Sequence, residues 1–342
     1  MRQAVIRKPY QVAIEDLPEP KPLQDELLVK TEITGISAGT EMALFRGSHP
    51  NLTTKKWGYW TDFPVYPGYE VVGTVIEVGS QVEGFKVGDK IVGCGCHAEI
   101  ANVPSNYAVK LSAEIPPESA TLAILGTTTM HAVRRGNLAY GGSVAVIGLG
   151  VVGMLALLHA KLAGASRVVA IDFVQERLDL ASSYGVDAAV SPDDPDFQCK
   201  IHEATNGGAD LVIEAAGTPS AIVTATQIAR ARGAVVILGY HVKPVQLLFG
   251  DDLFHKELDI RVSKAMGPHP SLAAPNAQWG AWVAPRWSVD QSLYEVVHLM
   301  ETGRLVVEPL ITHRFPASEL PSIYEKIDAG EMKDALQIIL EW

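Results

Sequence analysis

The chain has 342 residues, enough for two or three domains of ordinary size. Hydrophobic residues make up 47% of it and charged residues 20%, a balance that supports folded cores and excludes a disordered chain. The formal net charge is −11 at pH 7 and no basic block occurs, which argues against nucleic acid or an anionic membrane surface as a partner.

The cysteines are few: Cys94, Cys96 and Cys199. An odd, sparse set does not form a disulfide framework, and three cysteines cannot fill a four-cysteine zinc site. The first residues lack the apolar core of a signal peptide, and the most apolar stretch, at 144–158, reaches polar residues too soon to span a bilayer. We therefore expect a soluble, cytoplasmic protein.

Residues 1 to about 115 are predicted to be rich in β-strands. Short apolar runs at 27–31, 71–78 and 90–92 are separated by turns that contain Gly and Pro, as at Pro67-Gly68. Evenly spaced short strands of this kind favour a small barrel.

From about residue 119 the pattern changes to alternating strands and helices. Strands are predicted at 143–147, 167–172, 210–214 and 234–238, and helices at 151–162 and 176–184. Such alternation predicts a parallel sheet with helices on both faces. From about 266 to 342 the pattern is less regular, with a loop rich in Pro and Trp followed by helix-like and strand-like segments.

The strongest motif is a run of spaced glycines, Gly148-Leu149-Gly150-Val151-Val152-Gly153, between the first of these strands and the first helix. The first glycine permits a tight turn, the second lets the backbone approach a pyrophosphate, and the third lets the helix pack close to the strand. The helix N-terminus adds free N–H groups for the phosphates. The motif predicts a dinucleotide site with contacts at Gly148, Gly150, Val151, Val152 and Gly153.

Asp172 ends the next strand, 22 residues after the second glycine. A carboxylate at this distance accepts hydrogen bonds from the adenosine ribose and repels a 2′-phosphate, which favours NAD over NADP. Arg177 keeps NADP as an alternative cofactor, because a nearby arginine can accommodate that phosphate. Gly217, Gly239 and Tyr240, which follow the later strands, complete the predicted cofactor contacts.

Several stretches along the chain match one known pattern: GISAGTE at 35–41, PGYEVVGTVIEVG at 67–79, FKVGDKIVG at 85–93, TTTMHAV at 127–133, GGSVAVIGLGVVG at 141–153 and EAAGTP at 214–219. With them the chain resembles the medium-chain dehydrogenase/reductase superfamily of alcohol and polyol dehydrogenases over nearly its whole length. The resemblance implies an α/β protein with a discontinuous GroES-like β-barrel catalytic domain, 1–118 and 266–342, and a Rossmann domain, 119–265. It also implies an active site in the cleft between them and a homodimer or homotetramer.

The chain departs from the members of this family that use catalytic zinc. Those members place Cys where this chain has Ser37, His where it has Tyr69, and a third ligand near 124–126, where no ligand side chain occurs. Zinc needs three protein ligands of N, S or O type. The segment Cys94-Gly95-Cys96-His97 is too compact for an ordinary tetrahedral site, so we expect a zinc-free branch without metal. GISAGTE and PGYE also resemble bacteriochlorophyllide dehydrogenase and dehydrogenases of sugar-like substrates.

Without zinc, a side chain has to move the alcohol proton and polarise the developing carbonyl. In family terms Tyr69 stands at the position of a zinc-binding histidine, and Glu41 and Glu70 lie close to it. His49 is a further candidate for proton transfer. We therefore predict Tyr69, Glu41, Glu70 and His49 as the candidate catalytic residues.

Aromatic residues are concentrated at 57–63, and Trp279, Trp282 and Trp287 occur in the third region. Such groups stack on sugar rings or planar molecules, or anchor subunit interfaces. The predicted function is NAD-dependent, zinc-independent oxidation of a secondary alcohol on a sugar, polyol or similar ring, or the reverse. A reductase of an activated C=C bond or a quinone, and a nucleotide-binding protein without activity, stay open as alternatives.

Overall fold

The computed structural model describes residues 1–55, 59–241, 244–266 and 287–342. Backbone contacts divide the chain into two compact units, Met1–Ile124 with Val289–Trp342, and Leu125–Ser288. The first unit is therefore discontinuous in sequence. The domain bounds at 118/119 and 265/266 stay a prediction from the family resemblance.

The strands of the described residues are β1 Arg2–Lys8, β2 Gln11–Asp16, β3 Glu26–Ile36, β4 Val71–Val78, β5 Lys90–Gly93, β6 Ile100–Pro104, β7 Ala108–Lys110, β8 Ser143–Ile147, β9 Arg167–Ile171, β10 Ala188–Val190, β11 Ala209–Glu214, β12 Ala229–Ile237, β13 Asp259–Val262, β14 Ile311–Pro316 and β15 Gln337–Glu341. The helices are α1 Ala38–Phe45, α2 Pro50–Thr54, α3 Pro117–Thr121, α4 Ala123–Gly136, α5 Val151–Leu162, α6 Gln175–Ser183, α7 Phe197–Thr205, α8 Pro219–Ile228, α9 Val289–Glu301 and α10 Leu320–Asp328. Within the described ranges, no helix has both the length and the apolar character needed to cross a bilayer.

The first unit is built on a seven-stranded sheet in the order β14-β15-β3-β4-β5-β7, with β6 paired to β3, and a separate β1–β2 ribbon. The long strand β3 pairs antiparallel with β15, β4 and β6, so it joins the two sequence-distant parts of the unit. Apolar residues on β3, β4, β5 and β6 form a buried core, among them Leu27, Val71, Ile91 and Val103.

The second unit contains a parallel six-stranded sheet in the order β10-β9-β8-β11-β12-β13. All five residues of β8 are buried, as expected of a central strand covered on both faces. The strand order reverses at β8, since β9 lies on one side of it and β11 on the other. Ligands of open parallel sheets bind outside the carboxyl ends of the strands at such a reversal.

Helix α5 follows β8 and begins at the N-cap Gly150. Its apolar residues are buried against the sheet, including Met154, Leu155 and Leu157. It ends before Gly164, whose φ of +94° lies in the left-handed region that terminates helices. The predicted helix 151–162 is confirmed, and its N-terminus points out of the carboxyl edge of the sheet.

Candidate active site and nucleotide cradle

The turn between β8 and α5 contains the glycine motif. Gly148 has a φ of +87°, and a Cβ on Gly153 would lie only 1.7 Å from the carbonyl oxygen of Gly148. At Gly150, apart from the glycine, its chain neighbours and the backbone of the helix itself, no heavy atom of the described residues lies within 4 Å of the position a Cβ would take. There is therefore space beside the backbone at the start of α5, where Val151 and Val152 form the first turn. The first N–H groups of a helix have no partner within the helix, so they can bind an anion here.

Asp172 follows β9 and lies beside this turn. Its Oδ2 accepts a hydrogen bond from the backbone N–H of Leu149 at 2.6 Å, and its Oδ1 accepts one from Val174 at 2.9 Å. Arg177 places Nη1 3.7 Å from Asp172 Oδ2. The carboxylate is thus fixed next to the glycine turn with a cation near it, so the two residues that bear on the NAD or NADP choice lie together.

The loops after β11 and β12 meet at the same edge of the sheet. Glu214 is fully buried, and its Oε1 accepts hydrogen bonds from the N–H groups of Ala216 at 2.9 Å and Gly217 at 2.7 Å. A Cβ on Gly239 would lie 2.4 Å from the nitrogen of Gly217, so only glycine allows this approach. Tyr240 comes next and is 62% exposed.

We call the edge formed by residues 148–153, 172–177, 214–217 and 239–241 the nucleotide cradle. It fits a dinucleotide, because it offers a glycine-lined helix N-terminus for a pyrophosphate and a fixed carboxylate for a ribose. Sequence reasoning did not single out Glu214 or His241, although Glu214 opens the EAAGTP segment. His241 Nε2 lies 2.7 Å from Glu214 Oε2.

In the other unit, three hydroxyl groups lie together. Tyr69 OH donates a hydrogen bond to Ser37 Oγ and lies 3.5 Å from Thr40 Oγ1. Ser37 is the N-cap of α1, and Tyr69 lies two residues before β4. We call Ser37, Thr40 and Tyr69 the hydroxyl cluster. Burial and the nearby Glu70 raise the pKa of Tyr69 well above its usual range, so the phenol keeps its proton at neutral pH.

Glu41 is fully buried beneath the hydroxyl cluster. Its Oε1 accepts a hydrogen bond from Ser37 N at 2.8 Å, and its Oε2 faces His97 Nε2 at 2.9 Å and accepts from the hydroxyl of Tyr324. Because both carboxylate oxygens of Glu41 are hydrogen-bonded, this side chain is suited to holding the turn at Ser37 in position. The predicted catalytic role for Glu41 stays a prediction.

His97 links Glu41 to the chain terminus. A carboxylate only accepts, so Nε2 of His97 carries the proton and Nδ1 accepts from Thr34 Oγ1 at 2.7 Å. Thr34 Oγ1 in turn accepts from Trp342 Nε1 at 2.9 Å. Gly68, with a φ of +96°, leaves room for the His97 ring, because a Cβ there would lie 2.8 Å from it. Sequence reasoning missed this role of His97.

Glu70 forms a separate buried pair with Gln337. Gln337 Nε2 donates to Glu70 Oε2 at 2.8 Å, and both side chains are fully buried. Burial and the neighbouring Glu41 raise the pKa of Glu70 well above its usual range. A Cβ on Gly35 would lie 2.2 Å from both side chains, so the glycine of GISAGTE makes the space for this pair.

His49 lies at the start of α2, where its Nδ1 accepts a hydrogen bond from Asn51 N at 3.2 Å. Its ring packs edge-on against Trp60 at 5.5 Å, and Trp60 packs against Tyr59 at 5.3 Å and faces Tyr69 at 6.3 Å. His49 therefore joins an aromatic group that reaches Tyr69, and burial lowers its pKa. Of the predicted aromatics, Trp57, Trp279 and Trp282 lie outside the described residues.

The residues at the three ligand positions do not fit a catalytic zinc ion. Ser37 and Tyr69 present hydroxyls that bond to each other, and Ile124 and Leu125 are buried apolar side chains. Among residues 1–55, 59–241, 244–266 and 287–342, no three His, Cys, Asp or Glu side chains are grouped for a metal. Burial raises the pKa of Cys94 to about 12, so its thiol stays protonated.

Comparison with known proteins gives matches along the whole chain. The Alcohol dehydrogenase GroES-like domain family matches residues 23–113, and the Zinc-binding dehydrogenase family matches residues 151–274. L-threonine 3-dehydrogenase of Bacillus licheniformis is 28% identical and the match covers 96% of each chain. Erythritol/L-threitol dehydrogenase of Mycolicibacterium smegmatis is 26% identical, with 99% of this chain and 97% of that protein covered. The solved 2R,3R-butanediol dehydrogenase from Bacillus subtilis is 23% identical, covers 100% of this chain and 99% of its own, and has a TM-score of 0.81.

Proposed function

Because the chain belongs to the medium-chain dehydrogenase/reductase superfamily and is an oxidoreductase of the alcohol dehydrogenase kind, we propose that it uses NAD, and no zinc, to oxidise a secondary alcohol. The proposed substrate is a sugar, polyol or similar ring compound, and the reverse reduction is included. The fold and the reaction class rest on the comparisons; the absence of zinc and the substrate class rest on this chain's own residues.

The hydrogen bond between Tyr69 and Ser37 carries the zinc-independent part of the proposal. In the family's zinc enzymes these two positions supply ligands, and here they supply a phenol and an aliphatic hydroxyl. Neither is among the protein ligands that zinc ordinarily takes. The Zinc-binding dehydrogenase description of the matching family points the other way, so metal analysis has to accompany any assay.

The nucleotide cradle supports NAD as the cofactor. Gly148–Gly153 would hold the pyrophosphate at the start of α5, and Asp172 would accept hydrogen bonds from the adenosine ribose. When bound, NAD supplies the acceptor for the hydride. Arg177 beside Asp172 keeps NADP as the less favoured cofactor.

Tyr69 is the group we assign to the substrate oxygen. Its raised pKa keeps the phenol protonated, so in the reducing direction it can donate to a carbonyl oxygen and polarise it. The oxidising direction is the reverse of this step: it starts from the phenolate, which takes up the alcohol proton, and because the pKa of Tyr69 is raised it is favoured by high pH. Ser37 and Thr40, the other members of the hydroxyl cluster, hold the phenolic oxygen in place through its hydrogen bond and its 3.5 Å approach.

The aromatic group at His49, Tyr59 and Trp60 supports a ring-shaped substrate. Aromatic faces beside polar groups stack on the apolar faces of sugar rings and other planar molecules. Trp60 connects this group to Tyr69, with ring centroids 6.3 Å apart. A flexible linear polyol, such as the substrates named for one relative, would gain less from this surface.

The decisive experiment is substrate profiling with NAD over cyclic sugars, cyclic and linear polyols and threonine, with metal analysis on the same sample. We expect reduction of NAD with cyclic alcohols by a sample that contains no stoichiometric zinc. Activity that follows one bound zinc per chain and is lost on chelation would refute the zinc-independent proposal. The homodimer or homotetramer and the cytoplasmic compartment stay predictions, and light scattering on the purified chain would test the former.

A further inference from the structure

His241 is a polar residue of the nucleotide cradle, but it is not among the residues predicted to contact the cofactor. It follows Gly239 and Tyr240 in the loop after β12, and its side chain is 12% exposed. Nε2 lies 2.7 Å from Glu214 Oε2, whereas Nδ1 is buried and has no hydrogen-bond partner among the residues that the structure describes. Buried polar atoms are nearly always paired in folded proteins, so an orphaned ring nitrogen beside a ligand site calls for an explanation.

The hydrogen bonds of Glu214 determine which ring nitrogen of His241 is the acceptor. Glu214 is fully buried and its carboxylate accepts from Ala216 N, Gly217 N and the His241 ring. Since the carboxylate has no proton to give, Nε2–H of His241 donates to it. In the neutral imidazole Nδ1 is then a lone-pair acceptor, which would pair with an O–H or N–H donor.

The sheet topology indicates which half of the dinucleotide His241 faces. Asp172 follows β9, on one side of β8, and is the carboxylate suited to the adenosine ribose. Glu214 and His241 follow β11 and β12, on the other side of β8. A dinucleotide whose pyrophosphate lies at the start of α5 extends its second half toward these strands.

We infer that His241 is a cofactor-positioning residue whose Nδ1 accepts a hydrogen bond from a donor of the nicotinamide half of NAD, either a ribose hydroxyl or the carboxamide NH₂. The inference rests on the proposed use of NAD. Because Nδ1 is covered, the contact requires a small shift of the loop, in which the neighbouring Tyr240 is exposed. Glu214 acts through His241, since it fixes both the tautomer and the ring direction.

The test is calorimetric titration of the full chain with three ligands: NAD⁺, ADP-ribose and ADP. The variants are His241→Phe, which keeps a ring without nitrogens, and His241→Gln, which keeps a donor and an acceptor. His255→Phe is the matched control, because His255 is an exposed histidine of the same unit. The melting temperature of each unliganded variant reports folding, and Glu214→Gln combined with His241→Phe avoids an unpaired buried carboxylate if the single variant does not fold.

We expect His241→Phe to weaken NAD⁺ binding about five- to tenfold, the effect of one lost hydrogen bond, while ADP binding changes less than about twofold. His241→Gln should recover most of the loss, and His255→Phe should bind like the wild type. An equal loss for ADP-ribose would identify the ribose hydroxyl as the donor, and an unchanged ADP-ribose affinity would identify the carboxamide.

Two results would overturn the inference. One is an unchanged affinity of His241→Phe for NAD⁺. The other is an equal loss of affinity for NAD⁺ and ADP, which is the result expected if His241 only maintains the structure of the loop. Failure of the wild-type chain to bind NAD⁺ would instead refute the proposed function. The two failures are therefore distinguishable in one set of titrations.

Discussion

The phenol of Tyr69 donates a hydrogen bond to Ser37 Oγ, across 32 residues of sequence. The two side chains that stand at ligand positions of zinc-using dehydrogenases thus bond to each other. The turn that carries Ser37 is itself held by Glu41, which accepts from Ser37 N at 2.8 Å. Under the proposed zinc-independent function, this hydrogen-bonded pair of hydroxyls would take over the role that the metal ion has in zinc-using dehydrogenases.

The first prediction concerns Tyr69→Phe, which removes the phenolic proton and leaves the ring. We expect turnover to fall about 100-fold to 1,000-fold, the range for loss of a general acid or base, with unchanged affinity for NAD⁺. Steady-state kinetics and calorimetry measure the two quantities. Tyr66→Phe, at a tyrosine that is 42% exposed, is the control and should keep full activity. Full activity in Tyr69→Phe would remove this residue from the mechanism.

The second prediction concerns metal removal. Prolonged dialysis against a strong zinc chelator should leave turnover unchanged, because Ser37 and Tyr69 offer no zinc ligand and Ile124 and Leu125 offer none nearby. Elemental analysis before and after dialysis checks the metal content, and a zinc-dependent dehydrogenase treated in parallel checks the chelator. Loss of activity that added zinc restores would contradict the prediction.

The third prediction concerns Asp172→Ala. Removing the carboxylate should weaken NAD⁺ binding about tenfold or more and shift the preference toward NADP⁺, since Arg177 then lacks its anionic neighbour 3.7 Å away. Affinities for both cofactors, measured by fluorescence quenching, give the ratio. Asp187→Asn is a matched control, because Asp187 Oδ2 also accepts a backbone hydrogen bond, from Val168 N at 2.7 Å. A ratio that moves equally in both variants would refute the role of Asp172.

The first strand and the first helix of the glycine motif were predicted correctly, because the pattern that indicates each of them lies in adjacent residues. The helix at 151–162 and the strand at 143–147 lie at the predicted bounds because a buried strand and a glycine-capped helix are each encoded by adjacent residues. The strand predicted at 234–238 begins earlier, at Ala229, and its pairing with β11 shifts register within the added residues. A hydropathy pattern does not encode such an irregularity.

The candidate active site was harder to predict, because its contacts join distant parts of the chain. Tyr324 bonds to Glu41 across 283 residues, and Gln337 bonds to Glu70 across 267. Proximity of Tyr69 to Glu41 followed from family resemblance alone, whereas Glu70 is its neighbour in sequence. Burial of the two glutamates depends on the C-terminal segment folding back onto β3, and their catalytic roles stay predictions.

The fourth prediction concerns the buried hydrogen bond from Tyr324 to Glu41. Tyr324→Phe removes a hydrogen-bond donor from one oxygen of the buried Glu41 carboxylate. This loss should lower the free energy of unfolding by about 1–3 kcal/mol. Chemical denaturation followed by tryptophan fluorescence measures the change. Tyr294→Phe removes a hydroxyl that is on an exposed side chain, 61% accessible, and should be neutral. Equal stability of the two variants would show that this hydrogen bond contributes nothing net.

The last prediction concerns the pH dependence conferred by Glu70. Burial raises the pKa of Glu70 in the folded state above its value in the unfolded chain, so the folded state binds more protons in the interval between the two values. Stability from this group is therefore fully present below the unfolded pKa, near 4.5, and is lost as pH rises toward the folded pKa. Glu70→Gln keeps an acceptor for Gln337 and removes the titration.

We expect the stability of Glu70→Gln relative to wild type to increase steadily as pH is raised from 5 to 8, measured as the difference in free energy of unfolding at each pH. Glu77→Gln, at an exposed position on β4, should give a difference that does not vary in the same way. A constant difference between Glu70→Gln and wild type would show that Glu70 titrates alike in the folded and unfolded states. It would then be an ionised carboxylate in the core, available as a base.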